Sequence, residues 1–235
     1  MSFDKKESNY ILYTAKKLRA VRHLGGECAQ CHTRDHAVLQ FHHLEQSEKE
    51  EKISRLYLGR WSNVQRELEK CSILCANCHA EHHYSNGRNG QESTSFLLNR
   101  GLTNCQICKY QGDNVASLDF HHMSHKNKSF GISRAIHRVV SVSASELEEE
   151  LKKCQLICKN CHAQKHYDYE KFNRLKPLIE KKMESYKELR PKIDRDLILQ
   201  KMLNGYRQLD IVNELGCSKG TISGIVKKLK QEGKL

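Results

Sequence analysis

The 235-residue sequence has little with which to build one large core. It holds one Trp, six Phe and nine Tyr, 38% of its residues are hydrophobic, and the mean hydropathy is −0.72. Length allows one to three domains at roughly 100–200 residues each, and the scarcity of aromatics favours several small ones. No apolar run approaches the ~18 residues of a membrane span, so no membrane partner is expected. The opening MSFDKKESNY lacks the apolar stretch of a secretory signal, which points to a cytoplasmic protein. An acidic excess is missing too: Lys and Arg number 40 against 28 Asp and Glu, a formal net charge of +12. That balance favours a polyanion, nucleic acid before anionic lipid, because no amphipathic lipid-binding stretch stands out.

Cysteine and histidine are plentiful instead, 11 and 14 of them. Eight cysteines form four Cys-x-x-Cys pairs. An odd total with no export signal argues for metal binding in a reducing compartment rather than a disulfide framework.

The chain repeats itself. Cys28-x-x-Cys31 recurs as Cys105-x-x-Cys108, Phe41-His42-His43 as Phe120-His121-His122, and Ile53-Ser54-Arg55 as Ile132-Ser133-Arg134. The run from Glu67 through Cys71, Cys75, Cys78 and His79 to Ala80 recurs from Glu150 through Cys154, Cys158, Cys161 and His162 to Ala163. The offset drifts from 77 to 83, which places small insertions in loops, where they cost little. A repeat of this length is two small domains, within 1–90 and 91–168, and not a solenoid. The join over 85–93 is polar and Gly/Asn-rich and reads as a flexible linker. Residues 169–191 read as a charged helical linker with one packed stripe (Leu175, Leu178, Ile179, Met183, Tyr186), interrupted by Pro177 and ended by Pro191.

Two Cys-x-x-Cys knuckles supply four thiolates to one tetrahedral zinc. Cys28, Cys31, Cys75 and Cys78 are assigned to one structural Zn2+, and Cys105, Cys108, Cys158 and Cys161 to the other. Each unit is too short to bury much surface, so zinc supplies folding energy that the core cannot. With a helix from Asn77 onward, His79 and His83 fall about 40° apart on one face, a chelating geometry that His162 and His166 repeat. The His-His pair follows a short apolar strand, Ala37–Phe41 or Ala116–Phe120. Because adjacent strand side chains point to opposite faces, one His of each pair can ligate a metal while its neighbour addresses a water. Phosphodiester hydrolysis needs those parts, a divalent ion and a neutral imidazole as base. Extra zinc ligation or packing is the plainer alternative for these histidines. His82 and His125 have no counterpart in the other copy and read as surface residues.

At these residues the sequence resembles the HNH nuclease family, whose ββα-metal fold is a hairpin and a helix around one divalent ion. Leu118-Asp119-Phe120-His121-His122, Lys128-Ser129-Phe130-Gly131-Ile132-Ser133 and Lys153-Cys154 through Cys161-His162 look like its phage and bacterial zinc-containing branch. The resemblance covers residues 20–168. It implies His121, His162 and His166 as ligands of a catalytic ion with His122 as general base, and likewise His42, His79 and His83 with His43 as base. Two departures stand out. The family often has an Asn nine residues before the Cys-adjacent His, where this chain has Lys70 and Lys153; Asn63 is a candidate substitute in the first unit only. The first unit has Gln40 and Glu51 where the second has Asp119 and Phe130, so if one copy is degenerate it is the first. An all-imidazole shell suits Mn2+, Ni2+ or Zn2+ better than Mg2+, yet phosphate and water could complete a Mg2+ shell, and the ion's identity stays open.

Residues 192–235 change character. Asp194 can cap a helix to about Asn204 with Gly205 as its stop, Gln208–Leu215 reads as a short helix, 216–218 as a turn and Lys219–Lys230 as a second helix. Leu209, Val212, Leu215, Ile222, Ile225 and Leu229 would share a small core. The pattern resembles a helix-turn-helix that turns Ser218, Lys219, Thr221, Ser223 and Lys227 toward DNA; a helical interaction module is the plainer alternative. The fold class expected is α+β: two tandem zinc-stabilised ββα-metal units, then an all-α helix-turn-helix domain at 192–235. The function expected is a metal-dependent endonuclease on double-stranded DNA. A non-catalytic DNA-binding regulator on worn HNH scaffolds, or an RNA nuclease, are the rivals.

Overall fold

The computed structural model describes residues 4–85, 91–186, 194–215 and 218–235, with Ser85 and Gln91 described by backbone alone. The chain forms two compact units, one ending at Lys187 and one beginning at Glu188. Its class is α+β. Among the described residues no helix is long and apolar enough to cross a membrane.

The chain opens with a helix that the sequence reading did not anticipate, α1 (Lys5–His23). Asp4 caps it by accepting from the Glu7 N–H at 2.7 Å, and Gly25 and Gly26 stop it with φ of +97° and +80°, a region open to glycine without strain. Its apolar face buries Ile11, Ala15, Ala20 and Val21.

The first hairpin follows. Strand β1 (Leu39–His43) leads to two helices, α2 (Ile53–Leu56) and α3 (Trp61–Leu68), then β2 (Cys71–Cys75) and α4 (Ala76–Ser85). β1 and β2 pair antiparallel, Leu39 opposite Cys75 and His43 opposite Cys71. After α5 (Gln91–Leu98) the plan repeats: β3 (Leu118–His122), α6 (Ile132–Ile136), α7 (Ala144–Lys152), β4 (Cys154–Cys158) and α8 (Lys159–His166). β3 and β4 pair with Leu118 opposite Cys158 and His122 opposite Cys154.

Three local expectations change. Each His-His pair lies inside its strand rather than after it, because the first residues of the apolar run form a turn, in the second copy a 3-10 turn over Val115–Ser117. The join between the copies is shorter than read, since Gln91, Glu92 and Ser93 open α5; residues 86–90 lie outside the described set. Pro177 does not interrupt its helix: α9 runs from Tyr169 to Glu184 with Pro177 inside it. Pro177 is exposed, so the carbonyl that loses its amide partner is left near solvent, while Phe172, Leu175, Ile179 and Met183 pack on the other face against Ile11 and Ala15 of α1. Pro191 lies outside the described residues. α9 thus belongs to the same compact unit as the two zinc-type halves.

The two halves meet through an exchange of asparagines. The Asn77 N–H donates to Asn160 Oδ1 at 3.1 Å, and the Asn160 N–H to Asn77 Oδ1 at 2.9 Å. The same two residue positions contact each other in both directions, the mark of an isologous, two-fold contact. Gln164 on α8 donates to Asp35 of the first half at 2.7 Å, and Tyr110 of the second half donates to Glu81 on α4 at 2.9 Å.

The C-terminal unit is three helices, α10 (Arg195–Leu203), α11 (Gln208–Leu215) and α12 (Lys219–Gln231). Asp194 caps α10, and Gly205 (φ +82°) ends it. Ile198, Ile211, Ile222, Val226 and Leu229 form its core, with Val212, Leu215 and Ile225 at the margin. Leu209, expected in that core, is 46% exposed; helical phase gives the inward position to Ile211 instead. Residues 216 and 217 lie outside the described set.

Candidate functional site

The eight predicted zinc cysteines gather as two groups of four. In each group the sulfur atoms all lie within 4.8 Å of one another. Cys31 and Cys75 Sγ are 3.6 Å apart, and Cys108 and Cys158 Sγ 3.8 Å. A tetrahedron with Zn–S bonds of about 2.3 Å has edges of about 3.8 Å, so both groups have the dimensions of a structural zinc site. The knuckle turns are alike as well. Cys28 N–H donates to Thr33 O and Cys105 N–H to Tyr110 O, both at 2.9 Å. The residue after each second cysteine, His32 or Lys109, takes a left-handed conformation (φ 59° and 61°). Burial alone raises a thiol, yet amide N–H groups from Cys31 and Cys75 hold Cys28 at about 7, and those of Cys108 and Cys158 hold Cys105 at about 6. Amides aimed at sulfur favour the thiolate that binds metal. Asn160 adds a donor across the halves, Nδ2 to Cys75 Sγ at 3.4 Å, and Asn77 bonds to Cys158 in return.

The predicted ion ligands gather too. His42, His79 and His83 present ring nitrogens within 4.8 Å of one another, and so do His121, His162 and His166. One residue comes from the strand and two from successive turns of the helix. His79 Nδ1 meets Gln40 Oε1 at 2.7 Å. An amide oxygen only accepts, so Nδ1 carries the proton and Nε2 a lone pair. That Nε2 lies 3.0 Å from His83 Nε2. A proton on His83 Nε2 satisfies that contact, and with the proton displaced the donor set fits a borderline divalent ion. Burial, followed by the neighbouring His83, His42 and His82 rings, holds His79 down at about 4, which keeps it in the neutral, ligating form. Burial and the nearby His162 lower His121 likewise.

The second half replaces Gln40 by Asp119. Its Oδ2 meets His162 Nδ1 at 3.3 Å, and its Oδ1 accepts from Lys159 at 2.7 Å. Burial works against ionisation, but His162 and Lys159 hold the Asp119 carboxyl below its usual range. A carboxylate behind a metal-binding histidine raises its basicity and fixes its orientation. His82 and His125 are exposed, as expected, but neither stands apart: the His82 ring is 4.5 Å from that of His42 and the His125 ring 6.2 Å from that of His166.

The predicted bases face the other side of each strand and meet a residue the sequence reading missed. His43 Nε2 lies 2.9 Å from Glu67 Oε1, and His122 Nε2 2.9 Å from Glu150 Oε1. Asn63, the stand-in considered for the first half, is exposed on α3; Glu67 is the group at the base. Lys70 and Lys153 bond to these glutamates at 3.1 and 2.7 Å. Burial raises a carboxyl, but His43, Lys70 and the Glu50 and Glu51 N–H groups hold Glu67 below its ordinary value. Lys153, the Ser129 N–H, His122 and the Phe130 N–H hold Glu150 at about 2. A signal existed: glutamate keeps this place in both copies, while neighbouring Gln65, Arg66 and Glu69 change to Glu148, Glu149 and Lys152. Both bases line a cleft, His43 with Lys49, Lys52 and Ser54, and His122 with Lys128 and Ser133. Among the described residues, the second cleft also reaches a triad residue, His162, and the first reaches none.

In the C-terminal unit, Lys219, Ser223 and Lys227 are exposed along α12 and Thr221 is half-buried. Ser218 caps that helix, accepting from the Thr221 N–H at 3.2 Å.

The chain matches no protein-family model, no curated protein and no solved structure. What the structure defines is an α+β chain with two four-cysteine clusters and two histidine triads that fit a zinc-binding, ββα-like unit.

Proposed function

We propose that the protein is a metal-dependent endonuclease that hydrolyses phosphodiester bonds in double-stranded DNA, built from tandem HNH-like units and carried to duplex by a C-terminal helix-turn-helix. One observation carries the reading: a strand histidine and two helix histidines converge, twice, while the next strand residue is a histidine bonded to a buried carboxylate. His42, His79 and His83, and His121, His162 and His166, would hold the divalent ion, Mn2+ or Mg2+, with Ni2+ or Zn2+ as alternatives. When bound, such an ion polarises a phosphate oxygen and stabilises the leaving oxygen. His43 or His122 accepts one proton from a water, whose oxygen bonds to phosphorus as the P–O3′ bond breaks. Lys49 and Lys52, or Lys128, stand in the same clefts to meet phosphate charge. The zincs in the two four-cysteine clusters hold each helix against its hairpin. Lys219, Ser223 and Lys227 face outward from α12 to meet DNA, with Ser218 and Thr221 ordering its first turn, and the net charge of +12 suits that partner.

One observation favours the rival, a DNA-binding regulator that does not cut: the side chains of His43 and His122 are only 8% and 5% exposed. A supercoiled-plasmid assay with Mg2+, Mn2+, Ni2+ and EDTA separates the two. The nuclease reading expects metal-dependent nicking that the His43→Ala/His122→Ala double variant lacks. DNA binding with no metal-dependent cutting by the native chain would establish the regulator.

A further inference from the structure

We propose that Glu67 and Glu150 are positioning residues, each holding its histidine with the ring proton on Nε2 so that Nδ1 is the atom left to take a proton from water. This rests on the nuclease reading for its consequence, but not for its geometry. The contact uses the same atoms at the same 2.9 Å distance in both halves. The two carboxylates are 3% and 2% exposed. A buried carboxylate persists only when it is paired and hydrogen-bonded, and these are. Glu67 Oε1 also accepts from the Glu50 and Glu51 N–H groups at 3.0 and 3.3 Å, and Glu150 Oε1 from the Ser129 and Phe130 N–H groups at 2.8 and 3.4 Å. The second oxygen of each takes a lysine ammonium.

Loop amides and a lysine alone would satisfy a carboxylate with a purely structural task. The histidine is the added partner, and an ionised carboxylate can only accept from it, which fixes the tautomer. A ring free to rotate or to exchange tautomers spends part of its time with the wrong nitrogen toward water. Lys70 and Lys153 then have a role: they balance the buried charge that does the orienting.

The test uses the full-length, zinc-loaded chain labelled with 15N-histidine. Ring-nitrogen NMR, assigned with His43→Gln and His122→Gln, reads the tautomer directly. The native chain is expected to show one tautomer at both positions, protonated on Nε2, and Glu67→Gln and Glu150→Gln to show a mixture while two zincs stay bound. Cutting by the Glu67→Gln/Glu150→Gln double variant should fall about 10²- to 10⁴-fold in kcat with KM changed less than about twofold, the scale of losing a positioned base. A native spectrum with the proton on Nδ1, or in exchange, overturns the proposal without any variant having to fold. A double variant that cuts at the native rate overturns it and leaves the nuclease reading intact. The expected tautomers in a native chain that cuts nothing support the positioning and remove the nuclease.

Discussion

The two halves of the first unit share a frame and differ in what surrounds it. Shared are the knuckle turns with a left-handed residue at 32 or 109, the strand register that sets His43 opposite Cys71 and His122 opposite Cys154, and the histidine–glutamate contact. The differences lie in charge. Behind the helix histidine stands the Gln40 amide in one half and the Asp119 carboxylate in the other. His82 abuts the first triad, where the second half has Lys165 at the corresponding place. After the His pair, residues 44–52 hold four glutamates and two lysines, whereas 123–131 hold two lysines and no carboxylate. On charge alone, a polyanion would be repelled by the first loop and attracted by the second. A few ligands and hydrogen bonds suffice to keep the frame, and the neighbours decide what it can be used for.

Breaking the frame has the largest expected effect. Structural zinc is worth about 10–16 kcal/mol of apparent folding energy in small units. Cys158→Ala should therefore unfold the second half, lowering bound zinc from two to one by elemental analysis and reducing helix content by circular dichroism. Retention of both zincs would show that the sulfurs are not the ligands.

Next comes the division of labour. If the second half does the cutting, His122→Ala should reduce plasmid nicking by about 10²- to 10⁴-fold, the usual yield of general base catalysis, and His43→Ala by much less. Equal losses would erase the distinction between the halves.

A smaller change exchanges the two environments. Asp119→Gln should weaken Mn2+ binding at the second triad by about 10- to 100-fold, and Gln40→Asp should strengthen it at the first, because partners behind a ligating histidine act on that scale. Calorimetric titration of the zinc-loaded chain reads both. The smallest effect concerns the seam. Asn160→Ala leaves the Asn77 N–H unpaired and removes a donor from Cys75, so thermal unfolding should show a loss of about 1–3 kcal/mol, felt by the first half although the change lies in the second.

The sequence made the ligands legible because chemistry constrains their spacing. Cys28 through Cys161 and the six triad histidines could be grouped by pair spacing, helical phase and the internal repeat, and the described residues bring each group together. Other features had no such signature. Glu67 and Glu150 look like ordinary helix-surface charges apart from their recurrence in both copies, since burial is a tertiary property that no local pattern displays. Asn77 and Asn160 sit between zinc cysteines, and only docking of the halves reveals their exchange. α1 went unread because its apolar stripe is narrow and diluted by Lys and Arg, one of which, Lys16, is buried with its ammonium on the Tyr57 and Gly59 carbonyls. Pro177 argued against a continuous α9, and packing against α1 overrode that local preference.

The central claim is that imidazoles from hairpin and helix hold an ion in each half, beside the two zincs. Native mass spectrometry of the full chain with Mn2+ added tests this most directly. The account predicts two zincs and two further ions per chain, with His79→Ala and His162→Ala each removing one of the latter and leaving zinc unchanged. A chain that takes up nothing beyond its two zincs, or whose extra ions survive both substitutions, contradicts it.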